Sequence, residues 1–184
     1  MMNELDELAE EIKVCTKCRL AKGRINAVHG EGPSDARMML IGEAPGRSED
    51  QAGRPFCGSA GRILDRALRE AGIKREAVFI TNIVKCRPPN NRKPVADEIK
   101  SCLPYLVRQI NIIKPEVIVA LGSVAKESVE TLCTRDQGNL RIGNAFVFQT
   151  YHPAAVLYGN RKAYEHLVSE LAKAAQSINA QQQI

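Results

Sequence analysis

The chain has 184 residues, of which 26 are Lys or Arg and 21 are Asp or Glu, giving a formal net charge of +5. This length suits one domain with a core of its own, and no apolar run is long enough for a transmembrane helix. The acidic start MNELDELAEEIK excludes a secretory signal. We therefore predict a single domain over residues 1–184, cytoplasmic and without membrane contact, whose mild basicity permits nucleic-acid binding.

Apolar spacing and Gly or Pro punctuation divide the chain into alternating helices and strands. Pro104 is expected to kink or break the third helix, and the polar tail at 177–184 is predicted to be disordered. The alternation, with continuously apolar strands, indicates an α/β fold in which helices cover both faces of a parallel sheet. In chain order, we predict a helix at 4–13, a strand at 37–42, a helix at 59–72, a strand at 77–82, a helix at 95–113, a strand at 116–122, a helix at 123–133, a strand at 145–152 and a helix at 161–176.

Four cysteines have the spacing of a metal site that joins the start of the chain to its middle. Two form a C-x2-C pair, and the other two lie far downstream and well apart. Tetrahedral sulfur ligation suits either Zn(II) or an iron–sulfur cluster, and the spacing does not decide between them. Cys57 and Cys133 are predicted to be small buried side chains. The four candidate ligands are Cys15, Cys18, Cys86 and Cys102.

Several polar and aromatic residues follow the predicted strands, and ligands of such folds bind at the carboxyl ends of the strands. The loop at 42–61 is too glycine-rich for a helix, and it lacks both GxGxxG and a phosphate-binding GxxxxGK[ST]. An acid, an aromatic ring, an amide and an imidazole together suit a flat heterocycle. The residues predicted to converge on one crevice are Glu43, Phe56, Asn82, Ser123 and His152.

Four segments identify a family. GEAPG, RPFCGSAG, TNIVKCRPP and HPAAVL, in that order along the chain, resemble the motifs of the family 4 uracil-DNA glycosylases, the iron–sulfur type. The resemblance covers nearly the whole chain. It implies a three-layer α/β/α sandwich around a four-stranded parallel sheet, and a 4Fe–4S cluster on the four candidate cysteines. It further implies a monofunctional enzyme of base excision repair that flips uracil out of DNA and hydrolyses its N-glycosidic bond, leaving an abasic site.

The same resemblance implies roles for the crevice residues. His152 donates a hydrogen bond to uracil O2 as negative charge develops on the base. Glu43 either orients the attacking water or lines the pocket near uracil C5 and excludes thymine. Ala44 stands where many other uracil glycosylases have a water-activating aspartate, so activation is weaker or supplied differently here.

Base recognition is assigned to four residues of the same segments. Asn82 pairs with uracil N3 and O4, the edge that differs from cytosine, and a site built for that edge rejects cytosine strongly. Phe56 stacks on the ring. Gly42 and Ala44 complete the implied substrate pocket beside them.

Contacts with DNA are also implied by the resemblance. Leu157 and Tyr158 follow the HPAAVL histidine, where the family inserts a wedge into the gap left by the flipped base. Basic residues at 87–93 are predicted to meet phosphates, with a salt-sensitive affinity. The predicted DNA-binding set is Pro88, Gly122, Ser123, Leu157 and Tyr158.

The predicted partner is uracil-containing DNA, single- or double-stranded, bound by a monomer, with a sliding clamp as a further candidate partner. Two other classes of function stay open at this point. One is a non-catalytic iron–sulfur module that binds DNA and senses damage, and the other is an accessory domain of a polymerase. The complete set Glu43, Phe56, Asn82 and His152 favours an enzyme over both.

Overall fold

The computed structural model of the chain describes residues 3–180. Every helix and strand predicted above is present, with ends that differ by a few residues. The elements are α1 (Glu4–Lys13), β1 (Met38–Gly42), α2 (Arg47–Ala52), α3 (Ser59–Glu70), β2 (Val78–Asn82), α4 (Ala96–Ile113), β3 (Val117–Leu121), α5 (Ser123–Glu130), β4 (Thr134–Asp136), β5 (Asn139–Ile142), β6 (Ala145–Thr150) and α6 (Arg161–Ala180).

The sheet has six strands in the order β2-β1-β3-β6-β5-β4. The first four are mutually parallel, as predicted, and β1 pairs with both β2 and β3. The prediction of four strands is wrong in number, because the antiparallel hairpin β4–β5 extends the sheet beside β6. The hairpin turns at Gln137 and Gly138, both of which have positive φ, as a tight hairpin turn requires.

Helices cover both faces of the sheet and give the predicted α/β/α sandwich. Successive strand residues point to opposite faces, so Met39 of β1 packs with α1, α4 and α5 while Leu40 packs with α3 and α6. All five residues of each of β1, β2 and β3 are buried. A strand covered on both faces needs apolar side chains throughout, which explains the continuous apolar runs in the sequence.

Three local predictions need correction. The loop at 42–61 does contain a helix, α2, because its glycines at Gly46 and Gly53 cap the helix ends rather than interrupt it. Helix α4 runs from Ala96 to Ile113, so Pro104 does not break the helix, and the predicted kink stays a prediction. Helix α6 extends to Ala180, so residues 177–180 are helical, and the rest of the predicted tail, 181–184, lies outside the described residues. In residues 3–180, no helix combines the length and apolarity needed to cross a membrane.

Candidate active site

A cleft of about 550 Å³ opens at the carboxyl ends of the parallel strands. It lies where the sequence places the crevice, because parallel strands all end at the same edge of a sheet. Its walls bring together the acid, the aromatic ring, the amide and the imidazole singled out above. The predicted residues that line it are Glu43, Ala44, Phe56, Asn82, Pro88, Gly122, Ser123, His152 and Leu157.

Asn82, the last residue of β2, is the buried polar group at the base of this cleft. Its side chain is 1% exposed, and its Oδ1 has no hydrogen-bond partner among residues 3–180. A buried acceptor without a donor costs about 1–3 kcal/mol. The amide is therefore arranged for a donor that comes from a bound molecule.

Gly42, the last residue of β1, allows the amide and the aromatic ring to meet. A Cβ atom at Gly42 would lie 2.6 Å from Cζ of Phe56 and would also collide with Oδ1 of Asn82. Any side chain at this position would push both groups apart. The lack of a side chain at Gly42 therefore lets Phe56 and Asn82 lie next to each other, while its predicted contact with the substrate stays a prediction.

Phe56 is held in a backbone conformation that is rare for an aromatic residue. Its φ is +47°, and it is 6% exposed. Gly61 of α3 packs so closely on its carbonyl group that a Cβ there would overlap the Phe56 oxygen. Strained residues of this kind persist where the surroundings fix them, and they are common at active sites. The ring centroid lies 5.6 Å from that of His152, tilted by 33°.

The segment between β1 and Phe56 is fixed by two acids of α2. Glu49 accepts hydrogen bonds from the backbone N–H groups of Gly46, Cys57 and Gly58, at 3.1, 3.0 and 2.8 Å. Asp50, which is buried, accepts from the N–H groups of Ile25 and Asn26. These bonds order the glycine-rich wall of the cleft.

Cys57 is exposed and Cys133 only partly buried, so the prediction of two buried thiols is wrong.

His152 is neutral and presents a hydrogen-bond donor to the cleft. Its Nδ1 accepts a hydrogen bond from the backbone N–H of Ala154 at 3.1 Å, which leaves the proton of the neutral ring on Nε2. Burial lowers the pKa of His152 to about 4, and the Glu49 carboxylate opposes this shift. Gly122 packs on its Cβ with φ of +91°, so a side chain there would displace the ring.

Glu43 is the partly buried acid of the cleft. Burial raises the pKa of its carboxyl group above the usual 4.5, and the nearby Lys93 ammonium partly opposes this shift. A carboxylate with a raised pKa is a better proton acceptor at neutral pH than an exposed one. The arrangement therefore combines a carboxyl group of raised pKa, a buried imidazole, an aromatic wall and a buried amide oxygen that lacks a partner among the described residues.

The rim of the cleft carries exposed apolar and basic groups. Leu157 and Tyr158, on a short 3-10 turn from Pro153 to Tyr158, are 46% and 91% exposed. Tyr158 is not among the residues that line the cleft itself. Ser123 is exposed at the start of α5, whereas Pro88 is buried although it borders the cleft.

One of the predicted phosphate contacts, Arg92, is also engaged in an ion pair within the protein. Arg92 forms a bidentate ion pair with Glu98, at 2.9 and 2.7 Å, and the Glu98 side chain is fully buried. A guanidinium held in this way stabilises the start of α4, and its pairing with Glu98 leaves it fewer N–H groups for a phosphate. Lys93 and Arg47 are exposed on the cleft wall and are better placed for that role.

The four spaced cysteines line one small cavity on the α1 and α4 side of the sheet. Cys86 Sγ accepts a hydrogen bond from Arg24 Nη1 at 3.1 Å, and Cys102 Sγ accepts one from the Lys85 backbone at 3.2 Å. Burial raises the pKa of the Cys86 thiol to about 11, against the effect of Arg24. Within the described part of the chain, no three Cys, His, Asp or Glu side chains are grouped as ligands of one metal ion. The all-sulfur donor set and its N–H donors suit a soft metal centre.

Comparison with known proteins agrees with this geometry. The family model described as "Uracil DNA glycosylase superfamily" matches residues 29–176. The "Type-4 uracil-DNA glycosylase" of Pyrobaculum aerophilum is 49% identical over 166 residues, 84% of this chain and 85% of that protein. The chain belongs to the type-4 uracil-DNA glycosylases. The protein of the same name from Thermotoga maritima is 42% identical over 95% of this chain and 94% of its own length.

A solved structure supports the fold of this type-4 uracil-DNA glycosylase. The crystal structure of Pedobacter heparinus SMUG2 aligns with a TM-score of 0.56 at 10% identity and covers 79% of this chain and 77% of that one. At this identity the likeness concerns the fold alone.

Two residues near the cleft of the glycosylase were not predicted from its sequence. Lys85 is fully buried behind Asn82, and Arg47 lines the cleft. The only sequence signal for Lys85 is a charged residue inside the apolar run VFITNIVKC. Arg47 carries no signal beyond its place in the glycine-rich loop.

Proposed function

We propose that this protein excises uracil from DNA by hydrolysing the N-glycosidic bond, and that it leaves an abasic site for base excision repair. The observation that carries the proposal is the buried Oδ1 of Asn82, which lacks a partner among the described residues. Uracil offers an N–H donor at N3, whereas cytosine has an acceptor there. A base placed against Phe56 would bring its N3 edge to this amide. The alternative of a non-catalytic DNA-binding or damage-sensing module gives no reason for such an acceptor.

His152 supplies the main electrostatic contribution in this proposal. Cleavage leaves negative charge on the uracil base, and the Nε2–H of a neutral imidazole is a preorganised donor for it. Because the pKa of His152 is about 4, the ring stays neutral across the working pH range. It therefore stabilises the anion as a hydrogen-bond donor rather than as a cation.

Glu43 is proposed to orient and activate the attacking water. Its burial and raised pKa support this role over the alternative of lining the pocket near uracil C5. The carboxylate would take the place of the aspartate that Ala44 replaces. Lys93, on the same wall, partly opposes the rise in the pKa of Glu43 and so favours the ionised form of the acid.

The pH profile separates these two roles of Glu43. We expect kcat/KM to fall at low pH with an apparent pKa above 4.5, because protonation of a group with a raised pKa removes the base. His152 stays neutral until about pH 4 and does not cause this limb. Glu43→Gln should lose roughly 100-fold in rate and remove the limb. An unchanged acid limb in Glu43→Gln, measured by single-turnover release between pH 4 and 9, would show that Glu43 only lines the pocket.

We further propose that Cys15, Cys18, Cys86 and Cys102 hold a 4Fe–4S cluster. Their common cavity and the hydrogen bonds to sulfur support this, together with the family. A bound cluster would supply a covalent link between the N-terminal segment and the loop that follows β2. Because Cys86 lies four residues after Asn82, this link would stabilise the base-reading end of β2.

Replacing Cys86 with Ser is expected to reduce bound iron and to lower the melting temperature, because the free energy of metal binding contributes to the stability of the fold. Iron per chain and thermal unfolding measure both effects. Cys57→Ser is the matched control, because that thiol is exposed and lies outside the cavity. Full iron content and an unchanged melting temperature in Cys86→Ser would remove it from the ligand set.

The exposed Leu157 is proposed as the wedge that fills the gap left by the flipped base, with Tyr158 beside it. Ser123, Gly122, Pro88 and Lys93 would border the DNA backbone. Affinity should then fall steeply with salt. Action as a monomer, a cytoplasmic location, contact with a sliding clamp and the choice between single and double strands stay predictions.

The test of the proposed function is base release from labelled oligonucleotides. Single-stranded uracil, U:G and U:A substrates should all be assayed, with thymine and cytosine strands as controls. We expect free uracil and alkali-labile breaks only in the uracil strands. Binding of these strands without any base release would favour the non-catalytic module.

A further inference from the structure

Lys85 is a buried cation that the proposed mechanism does not use. It is 1% exposed, and its Nζ donates to Thr81 Oγ1 at 2.7 Å, Asn82 O at 2.7 Å and Gln109 Oε1 at 2.8 Å. A buried ammonium is costly unless its hydrogen bonds are satisfied and a counter-charge lies near. All three acceptors are formally neutral, so they satisfy the hydrogen bonds but not the charge.

The groups that can compensate this charge are the cysteines behind it. Lys85 lines the four-cysteine cavity, and its own backbone N–H donates to Cys102 Sγ at 3.2 Å. Cys86 is the next residue in the chain. Four thiolates around a metal centre would carry net negative charge and would stabilise the ammonium on this side of β2.

One of the three hydrogen bonds of the Lys85 ammonium goes to Asn82, the residue proposed to recognise uracil. Lys85 binds the main-chain carbonyl oxygen of Asn82, while the side-chain Oδ1 of Asn82 lies in the cleft. Gln109 anchors the network from α4, because its Nε2 donates to the His29 carbonyl. One cation thus joins the four-cysteine cavity, α4 and the end of β2.

We propose that Lys85 is a positioning residue of the base-reading site: held at the four-cysteine cavity, it fixes the Asn82 main chain and thereby the direction of the Asn82 amide. The inference rests on the proposed function and adds a specificity role to it. Without the ammonium, Thr81 Oγ1 and Gln109 Oε1 still have each other at 3.2 Å, whereas the Asn82 carbonyl loses this donor. Loss of Lys85 should therefore act on base recognition more than on the rest of the fold.

The test is Lys85→Met, which keeps the length of the side chain and removes its donors and charge. We expect kcat/KM for uracil to fall about 10- to 100-fold, the effect of losing a hydrogen bond from a charged donor. The ratio of uracil to cytosine release should fall with it. The samples are matched for iron per chain, so that a loss of cluster is not mistaken for a displaced Asn82 amide.

Arg37→Met is the matched control. Arg37 is also a cation with three hydrogen bonds, to Glu116 and to the Ile178 carbonyl, but it lies just before β1, at the opposite edge of the sheet from the cleft. We expect it to lower the melting temperature and to leave kcat/KM within about threefold. Equal losses of kcat/KM in the two variants would show that Lys85 acts only through the stability of the fold and would overturn the proposal.

A binding measurement provides a readout that does not depend on catalysis. Equilibrium dialysis with radiolabelled uracil should show affinity about tenfold weaker in Lys85→Met and unchanged in Arg37→Met. Unchanged uracil affinity together with an unchanged base ratio would overturn the positioning role. If Lys85→Met yields no folded protein, Lys85→Gln, which is polar but uncharged and too short to reach Asn82 O, is scored by the same ratio. Absence of uracil release by the unmodified protein would instead reject the proposed function itself.

Discussion

Replacement of His152 with alanine should lower kcat for uracil release about 100- to 1,000-fold, the effect of removing one oxyanion donor. The neutral ring donates from Nε2, because Nδ1 already accepts from the Ala154 N–H. That donor matters most once charge has developed on the base, so binding of DNA should change little. Single-turnover release and fluorescence anisotropy with undamaged duplex measure the two quantities separately.

His29→Ala is the control for this variant, since His29 lies outside the cleft. It should release uracil at close to the unmodified rate. Near-normal catalysis by His152→Ala would show that another group stabilises the anion. A parallel loss of DNA affinity and rate would mean that the ring acts in binding rather than in the transition state.

Replacement of Asn82 with aspartate should weaken the preference for uracil over cytosine. The amide offers both a donor and an acceptor to the uracil edge, whereas a carboxylate offers only acceptors and meets the uracil O4 with repulsion. One lost contact of this kind costs roughly 10- to 100-fold, so uracil release should fall by about that factor. Release of cytosine, whose N4 amino group is a donor, should fall less or rise, and the ratio of the two rates should narrow.

Asn144→Asp makes the same chemical change at an exposed position just before β6 and away from the cleft. It should leave both rates and their ratio unchanged. The measurement is the ratio of uracil to cytosine release in matched duplexes. An unchanged ratio in Asn82→Asp would contradict edge reading by this residue.

Strands β1, β2 and β3 could be predicted because burial on both faces demands continuous apolar runs. The β4–β5 hairpin could not, since TRD in β4 is wholly exposed and carries no apolar alternation. Helix α2 was not predicted because glycines flank it, and composition alone does not distinguish a glycine that caps a helix from one that interrupts it. In both cases tertiary position, not local pattern, decides the structure.

The cleft residues could be predicted because parallel strands end at one edge, so strand-end residues such as Asn82 and His152 meet without further information. The partners of charged residues could not be predicted in this way. Arg92 reads as a free cation until α4 brings Glu98 to it, and Lys85 reads as a surface charge until β2 and α4 enclose it. Sequence gives the charge of a residue, whereas its partner depends on the packed structure.

The measurement that tests the account most directly is release of free base from a U:G duplex by purified, iron-loaded protein, with His152→Ala prepared alongside. We predict free uracil and an abasic site with the unmodified protein, and a rate at least about 100-fold lower with His152→Ala. Equal release by both proteins would contradict the assigned active site. No release by either would contradict the enzyme and leave a DNA-binding iron–sulfur module.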